Sequence, residues 1–347
     1  MISDTIVTDA RVAVVIPCYK ASRSLAFVVG AIPSVVERIY CVNDASPDDT
    51  GQVVDWLAKF DPRVTAIHRP ENGGVGAATV TGFKAAIADG MTVIVKLDSD
   101  GQMNPAFIPT LIAPILSGEA DFVKGNRFFD LDSVRSMPPV RLIGNAGLSF
   151  LSKLSTGYWQ MFDPTNGYLA VHAAVAGTLP LDKLHPRYFF ESDLLFRLST
   201  LGANMVEVPM EAVYADEKSN LNELHAAMTF PPLHLRNFTK RIFYNYFLRG
   251  FSAASLHLVG GLLLALFGLV FGARAWIASA ALGEPATAGT VMVSALPIFV
   301  GFQLLLNFLS HDVASAPRAP IHRYLARYKV LKAPVAETTD GDRAASA

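Results

Sequence analysis

The sequence predicts an α/β domain with a mostly parallel sheet, followed by an amphipathic juxtamembrane helix and two transmembrane helices. Three observations predict it: short apolar runs alternate with helix-like stretches through residue 230, a helix-periodic aromatic stripe follows, and two long uncharged segments come next. The runs 12–16, 38–42, 64–68, 92–97 and 121–123 have the near-continuous apolar character of strands buried on both faces. Ligands of such sheets bind beyond the carboxyl ends of the strands. The residues there are Pro17-Cys18-Tyr19, Asn43-Asp44, 68–72, 98–102 and Gly125-Asn126-Arg127.

Segments 251–273 and 285–310 contain no Asp, Glu, Lys or Arg. At 1.5 Å per residue each is long enough to cross a hydrocarbon core of about 30 Å. Arg236, Lys240, Arg241 and Arg249 precede the pair, and Arg318, Arg323, Arg327, Lys329 and Lys332 follow it, while the loop between has only Arg274 and Glu284. The positive-inside rule therefore predicts a multi-pass protein of the cytoplasmic membrane with both termini and the large first domain in the cytoplasm. Ahead of the first span, Leu235, Phe238, Ile242 and Tyr246 recur at helical spacing, which suits a helix lying on the membrane, packed on the domain, or both. The expected units are a domain over 1–230, a juxtamembrane helix over 231–250, a two-helix anchor over 251–312, and a basic then disordered tail over 313–347.

A net charge of −1 gives no global basic field and no reason to expect nucleic acid as a partner. Cys18 and Cys41 end apolar runs, as small buried residues of a reduced cytosolic domain do. Residues 1–10 have neither the basic cluster nor the apolar core of a secretory leader. His68, His172 and His185 lack zinc-ligand spacing.

The strongest chemical signal is Asp98-Ser99-Asp100-Gly101-Gln102 at the end of an apolar strand. Two carboxylates one residue apart, with an amide oxygen, suit Mg2+ or Mn2+, hard cations that keep positions open for phosphate. Such an ion neutralises charge developing on a nucleotide diphosphate leaving group. The second signal, Asn43-Asp44-Ala45-Ser46-Pro47-Asp48-Asp49-Thr50, also follows a strand. Asp44 suits either a base N–H or a turn, and Asp48 and Asp49 suit the cap of the next helix. The third, Asn72-Gly73-Gly74-Val75-Gly76, opens a helix but has Thr79 where a dinucleotide fingerprint needs Gly or Ala, and no Gly-Lys-Ser/Thr P-loop occurs. Its small residues suit close packing or close approach of a donor.

Taken in order and spacing, Ile16-Pro17-Cys18-Tyr19, Val42-Asn43-Asp44-Ala45-Ser46, Asn72-Gly73-Gly74 and Asp98-Ser99-Asp100 resemble the family-two glycosyltransferases of the GT-A nucleotide-sugar-binding fold, over about the first 230 residues. Gly125-Asn126-Arg127, Asp163-Pro164-Thr165-Asn166-Gly167-Tyr168 and the two carboxy-terminal spans look like the polyprenyl-phosphate (dolichyl-phosphate-like) sugar transferases of that family. The resemblance implies an inverting transfer of a hexose from a UDP- or GDP-sugar to an undecaprenyl- or dolichyl-type phosphate for lipid-linked sugar or cell-envelope glycan synthesis. The implied partners are the nucleotide sugar, the polyprenyl phosphate and membrane lipid; a homo-oligomer is left open.

Carried over by residue, the resemblance has Pro17, Tyr19 and Asp44 lining the nucleotide, with Asp98, Asp100 and Gln102 holding metal and diphosphate. Arg127 would face a phosphate, its plainer alternative being a neighbouring carboxylate. Thr165 and Asn166 belong to an acceptor-facing loop. Some relatives keep an Arg at the place of Asn145, which leaves Arg141, about a helical turn earlier, as the candidate for the acceptor phosphate. Asp193 is the candidate base or acceptor-orienting group, Glu191 its support, and Arg187 an attractor of the anionic acceptor. A lipid phosphate with a second pKa near ~6 is already ionised and needs no base. Residues 214–219 suit a lid or an ordinary charged loop. A processive polysaccharide synthase is the competing enzyme, disfavoured by the absence of Gln-x-x-Arg-Trp and by the two spans. A catalytically inactive membrane scaffold is disfavoured by Asp98 and Asp100.

Overall fold

The computed structural model describes residues 10–129, 139–164, 166–210 and 223–325, with backbone alone for 139–143, 145 and 223–227. Thr165, the loop 214–219, the side chain of Arg141 and the tail beyond 325 lie outside the described residues.

Seven strands form one sheet: β1 (Val12–Cys18), β2 (Val36–Asn43), β3 (Val64–His68), β4 (Val93–Lys96), β5 (Phe122–Asn126), β6 (Leu169–His172) and β7 (Met205–Pro209). Their order is β3-β2-β1-β4-β6-β5-β7, with β6 antiparallel to both neighbours and every other pairing parallel. This is the GT-A-like α/β fold. The five predicted runs are β1 to β5; β6 and β7 are additional, one only four residues long and the other interrupted by Glu207.

Alternation along the strands fills two apolar layers. Val12, Val14 and Ile16 join Val93 and Val95 under α1 (Leu25–Gly30), α2 (Thr50–Phe60) and α4 (Ile108–Leu116). Ala13, Val15, Ile94 and Phe122 face α3 (Val75–Ala88) and α6 (Phe190–Leu201). The helix α3 lies close to the sheet because Gly82 has no Cβ; one there would overlap the Val15 side chain.

Two further helices, α5 (Pro139–Thr156) and α7 (Glu223–Phe243), pack on this body. The helix α7 passes through Pro231 and Pro232, where the sequence placed a boundary, because its inner face is held beyond them. Ser155 Oγ and His234 Nδ1 are 2.7 Å apart, Asn237 Nδ2 donates to Asp193 Oδ1 at 3.1 Å, and Arg241 donates to the Leu154 carbonyl at 2.8 Å. Of the predicted stripe, Ile242 and Tyr246 bury with Ala254 and Phe308 and Phe238 packs against them, while Leu235 is exposed. A π-helical turn (Tyr244–Leu248) ends the segment.

Helices α8 (Ala253–Leu282) and α9 (Ala288–Ala314) are long and apolar enough to cross a membrane. Only 11% of each apolar window is buried, so they are not interior helices of a globule. Gly261, Gly268 and Gly301 let the two backbones approach: a Cβ on Gly301 would stand 2.8 Å from the Gly261 carbonyl. Asp312 near the end of α9 is buried and accepts from Arg241 Nη1 (2.7 Å), Tyr246 Oη (2.6 Å) and Trp159 Nε1 (2.8 Å), which binds the apolar hairpin to α7 and the domain. Past α9 the chain returns to the sheet, where buried Asp121 accepts from the backbone N–H groups of Ile321 and His322 at 2.8 Å each and meets His322 Nδ1 at 2.7 Å. The His172 and His322 rings stack 4.4 Å apart.

Gly82→Val is expected to lower stability by about 1–3 kcal/mol, because an extra side chain must displace Val15 or lift α3. Thermal unfolding of the full chain in detergent measures it. An unchanged Tm would mean that the helix and sheet are not in the contact described.

Candidate active site

The carboxyl ends of β2, β1 and β4 lie side by side, and the crevice beyond them opens where the strand order switches from β1 to β4. Two non-glycine residues with left-handed backbones stand at its rim, Lys20 (φ 54°) and Ala45 (φ 49°). Such conformations persist only where neighbours over-determine them, and they gather at functional sites. The Lys20 N–H donates to Ser46 Oγ at 2.8 Å, joining the turns after β1 and β2. Ser24 Oγ donates to the Ser99 carbonyl at 2.6 Å and brings in the turn after β4.

Pro17 is buried in β1 opposite Val42, and Tyr19 beyond it is exposed. Asp44, buried, accepts from Gly73 N at 3.0 Å, from Gly74 N at 2.7 Å and from the Arg69 guanidinium. Its carboxylate therefore shapes the Asn72-Gly73-Gly74 loop, and Asn72 Nδ2 returns a bond to the Asp44 carbonyl at 3.1 Å. The small residues of that loop are in tight packing: at Gly74 (φ 93°) a Cβ would lie 2.9 Å from the Pro186 carbonyl, and at Gly76 it would overlap the His185 carbonyl. Asp48 accepts from Ser22, Ser46 and Thr50, and these bonds outweigh its desolvation to hold its carboxyl below the usual range.

Across the other half of the sheet the register sets charged residues in a row. Lys96 of β4 is level with Leu169 of β6, which is level with Lys124 of β5, which is level with Glu207 of β7. In-register residues share a face, here the face toward α6. The Lys96 side chain is 1% exposed and its ammonium lies 2.8 Å from Asp98 Oδ1 and 3.1 Å from Glu191 Oε1. Burial alone would lower this lysine, but the two carboxylates prevail and hold it above the usual lysine value. A Cβ on Gly167 would come within 2.5 Å of that ammonium and 2.9 Å of Asp98 Oδ2, so the 163–167 loop touches the Asp98 motif directly.

The same loop is pinned from below. Lys124 donates to the carbonyls of Pro164 (3.0 Å) and Asn166 (2.5 Å). Glu207 accepts from Phe162 N and Asp163 N, both at 2.9 Å, and burial raises its pKa. Arg127 grips fully buried Asp163 with two parallel bonds, Nε to Oδ2 at 2.8 Å and Nη2 to Oδ1 at 3.0 Å.

Of the residues singled out from the sequence, Asp98 and Glu191 thus meet at Lys96, and Gly167 meets them there. Asp100 is exposed, its Oδ1 accepting from Gln102 N at 3.0 Å. Arg127 takes its carboxylate alternative. Asn166 is buried, its amide donating to the Gly125 carbonyl at 2.7 Å. Arg187 is exposed beside Gly74. Asp193 is 5% exposed and accepts from His185 N (3.1 Å), Arg197 Nε (3.2 Å) and Asn237 Nδ2, which makes it a clamp between α6 and α7. Sequence reasoning gave no role to Lys96, Lys124 or Glu207. The available signal was a charged residue inside an apolar strand run.

Among the described residues no three His, Cys, Asp or Glu side chains converge as a complete metal site. Asp98 and Glu191 both meet Lys96, and Asp100 follows two residues after Asp98 in the same turn. Two aspartates fit a hard divalent ion that draws its remaining oxygens from a diphosphate.

A family model described as Glycosyl transferase family 2 matches residues 13–178, which span β1 to β6 and stop short of Glu191 and Asp193. The chain is 32% identical to the undecaprenyl-phosphate mannosyltransferase of Micrococcus luteus, over 58% of this chain and 84% of that protein. It is 32% identical to the polyprenol monophosphomannose synthase of Mycolicibacterium smegmatis, over 59% of this chain and 78% of that protein. With the UDP-N-acetylglucosamine–dolichyl-phosphate N-acetylglucosaminyltransferase of Methanococcus voltae it shares 29% identity, over 60% of this chain and 88% of that protein.

Burial pushes the Lys124 ammonium down to about 8, against the pull of Asp163, Glu191 and Glu207. The unfolded chain keeps its lysine protons to about pH 10.4. Between those values the unfolded state binds the extra proton, so the contribution of this residue to stability is full above the unfolded pKa and is lost as pH falls through 8. Relative to Lys124→Met, the wild-type Tm is expected to rise from pH 7.5 to pH 10. A difference that stays flat with pH would show that the lysine is not buried as described.

Proposed function

The chain belongs to glycosyl transferase family 2 and is related to the polyprenyl-phosphate sugar transferases, and we propose that it moves a hexose from a UDP- or GDP-sugar to a polyprenyl phosphate with inversion at the sugar carbon. The observation that carries this reading is the meeting of Asp98, Glu191 and Gly167 around the buried Lys96 ammonium, at the end of a central strand.

In this reading the nucleotide lies over Pro17, Tyr19 and Asp44, with Asp44 keeping the Gly73-Gly74 turn in shape beneath it. Asp98, Asp100 and Gln102 would hold Mg2+ or Mn2+, which supplies charge neutralisation to the departing diphosphate. Lys96 keeps Asp98 from swinging and contributes a fixed positive charge under the crevice. The Asp163–Gly167 loop, pinned by Arg127, Lys124 and Glu207, forms the wall against which the acceptor is oriented, with Arg141 and Arg187 as its attractors.

The lipid phosphate is the nucleophile and is ionised at neutral pH, so no proton has to be removed as the bond forms. Asp193 therefore has no proton to take, which fits its engagement with three donors. Glu191 acts through Lys96. The helices α8 and α9 cross the cytoplasmic membrane with both ends and the catalytic domain on the cytoplasmic side, bringing the crevice to the lipid head groups.

Full-length protein in vesicles containing undecaprenyl phosphate is expected to form a lipid-linked monosaccharide from one of the UDP- or GDP-hexoses only when Mg2+ or Mn2+ is present. Asp100→Asn should lower that rate on the order of 10²–10³-fold with Tm unchanged. A long glycan as product would identify a processive synthase instead, and transfer that persists in Asp100→Asn would overturn the metal assignment.

A further inference from the structure

A second cleft lies away from the crevice, where the domain, the juxtamembrane segment and the ends of both apolar helices meet. It has a volume of about 340 Å³ and is lined by Arg241, Asn245, Arg249, Ser252, His311 and Ser315 among others. That is the lower end of the range for small-molecule sites, enough for a head group.

Its polar groups are incompletely used. Arg241 is 2% exposed, and its Nη atoms serve Asp312 and the Leu154 carbonyl, yet its Nε is buried with no acceptor. Asn245 Oδ1 is likewise buried with no donor. Both atoms are closed to water and lie within the wall of the cleft. Arg249 donates to the carbonyls of Thr200 (2.9 Å) and Leu201 (3.5 Å) and meets no carboxylate among the described residues. Glycines make room for both guanidinium groups: a Cβ on Gly157 would stand 2.8 Å from Arg241 Nη1, and one on Gly202 would stand 3.6 Å from Arg249 Nη1. At the rim Phe251 is exposed, and Ser252 caps α8.

An occupant of the cleft meets the exposed Arg249 guanidinium and Phe251, with Arg241 and Asn245 set in the wall behind them. We propose that this cleft is a lipid site holding the head group of an anionic phosphoglycerol lipid, its phosphate toward Arg249 and its acyl side toward Phe251. Arginine forks suit phosphate oxygens, and the cleft sits at the level of both helix ends, where lipid phosphates lie if α8 and α9 span the bilayer. The inference rests on that spanning reading and not on the sugar-transfer reaction.

Full-length protein from mixed micelles of equal phosphatidylglycerol and phosphatidylcholine, examined by native mass spectrometry, should retain one phosphatidylglycerol in preference to phosphatidylcholine. Arg249→Gln should lower that retention about tenfold, the loss of a hydrogen bond to a charged group, and Arg249→Glu should lower it further by repulsion. Equal retention of the two lipids, or retention indifferent to both substitutions, overturns the proposal. So does displacement of phosphatidylglycerol by added undecaprenyl phosphate, which would assign the cleft to the acceptor. Flotation with pure phosphatidylcholine vesicles tests membrane insertion separately, and a transfer assay on the same preparation tests the reaction separately.

Discussion

An ammonium group almost wholly withdrawn from water stands beneath the crevice, and it is tolerable only because two carboxylates meet it. Removing an ion from water without a partner costs several kcal/mol even after relaxation. Lys96 therefore requires Asp98, two residues on in its own chain, and Glu191, which arrives on a different helix. The position of α6 is in turn fixed by Asp193, which ties its first turn to the His185 backbone and to Asn237 of α7. The Asp163–Gly167 loop must pass the same ammonium so closely that only glycine fits at 167. One buried charge thus sets the mutual placement of a strand end, a helix and a loop.

Much of this was legible in the sequence. Apolar runs located β1 to β5, and the residues after them marked the rim of the crevice, because a parallel sheet collects its ligands at one edge. The two uncharged stretches located α8 and α9, although α8 runs on through Arg274 to Leu282. The short antiparallel β6 and the Glu207-interrupted β7 have no period long enough to stand out. Partnerships were less accessible: Lys96 with Glu191, Arg127 with Asp163 and Asp121 with His322 join residues far apart in the chain, and no spacing rule finds them. Asp193, the candidate base or acceptor-orienting group, accepts from His185, Arg197 and Asn237, contacts that its neighbours in sequence did not disclose.

The apolar hairpin and the sheet are bound by charge as well as by packing. Asp312 would be an unfavourable residue near the end of a membrane helix, yet Arg241, Tyr246 and Trp159 use its oxygens fully. The face of α7 that carries His234, Asn237 and Arg241 turns to the domain, and Leu235, Phe243 and Leu248 remain outward. The packing on the domain that the periodicity allowed is therefore present, and it uses the polar face of the helix as well as the apolar stripe.

The return of the chain after α9 has a practical consequence. Four donors surround Asp121 at the base of β5: Asn204 N, Ile321 N, His322 N and the His322 ring. A version cut short ahead of the hairpin, made to obtain a freely dissolved enzyme, would keep only the first of them and leave an anion stranded under the sheet. The segment that follows the hydrophobic portion is thus a brace of the catalytic body, and solubilising this protein means wrapping the hairpin rather than amputating it.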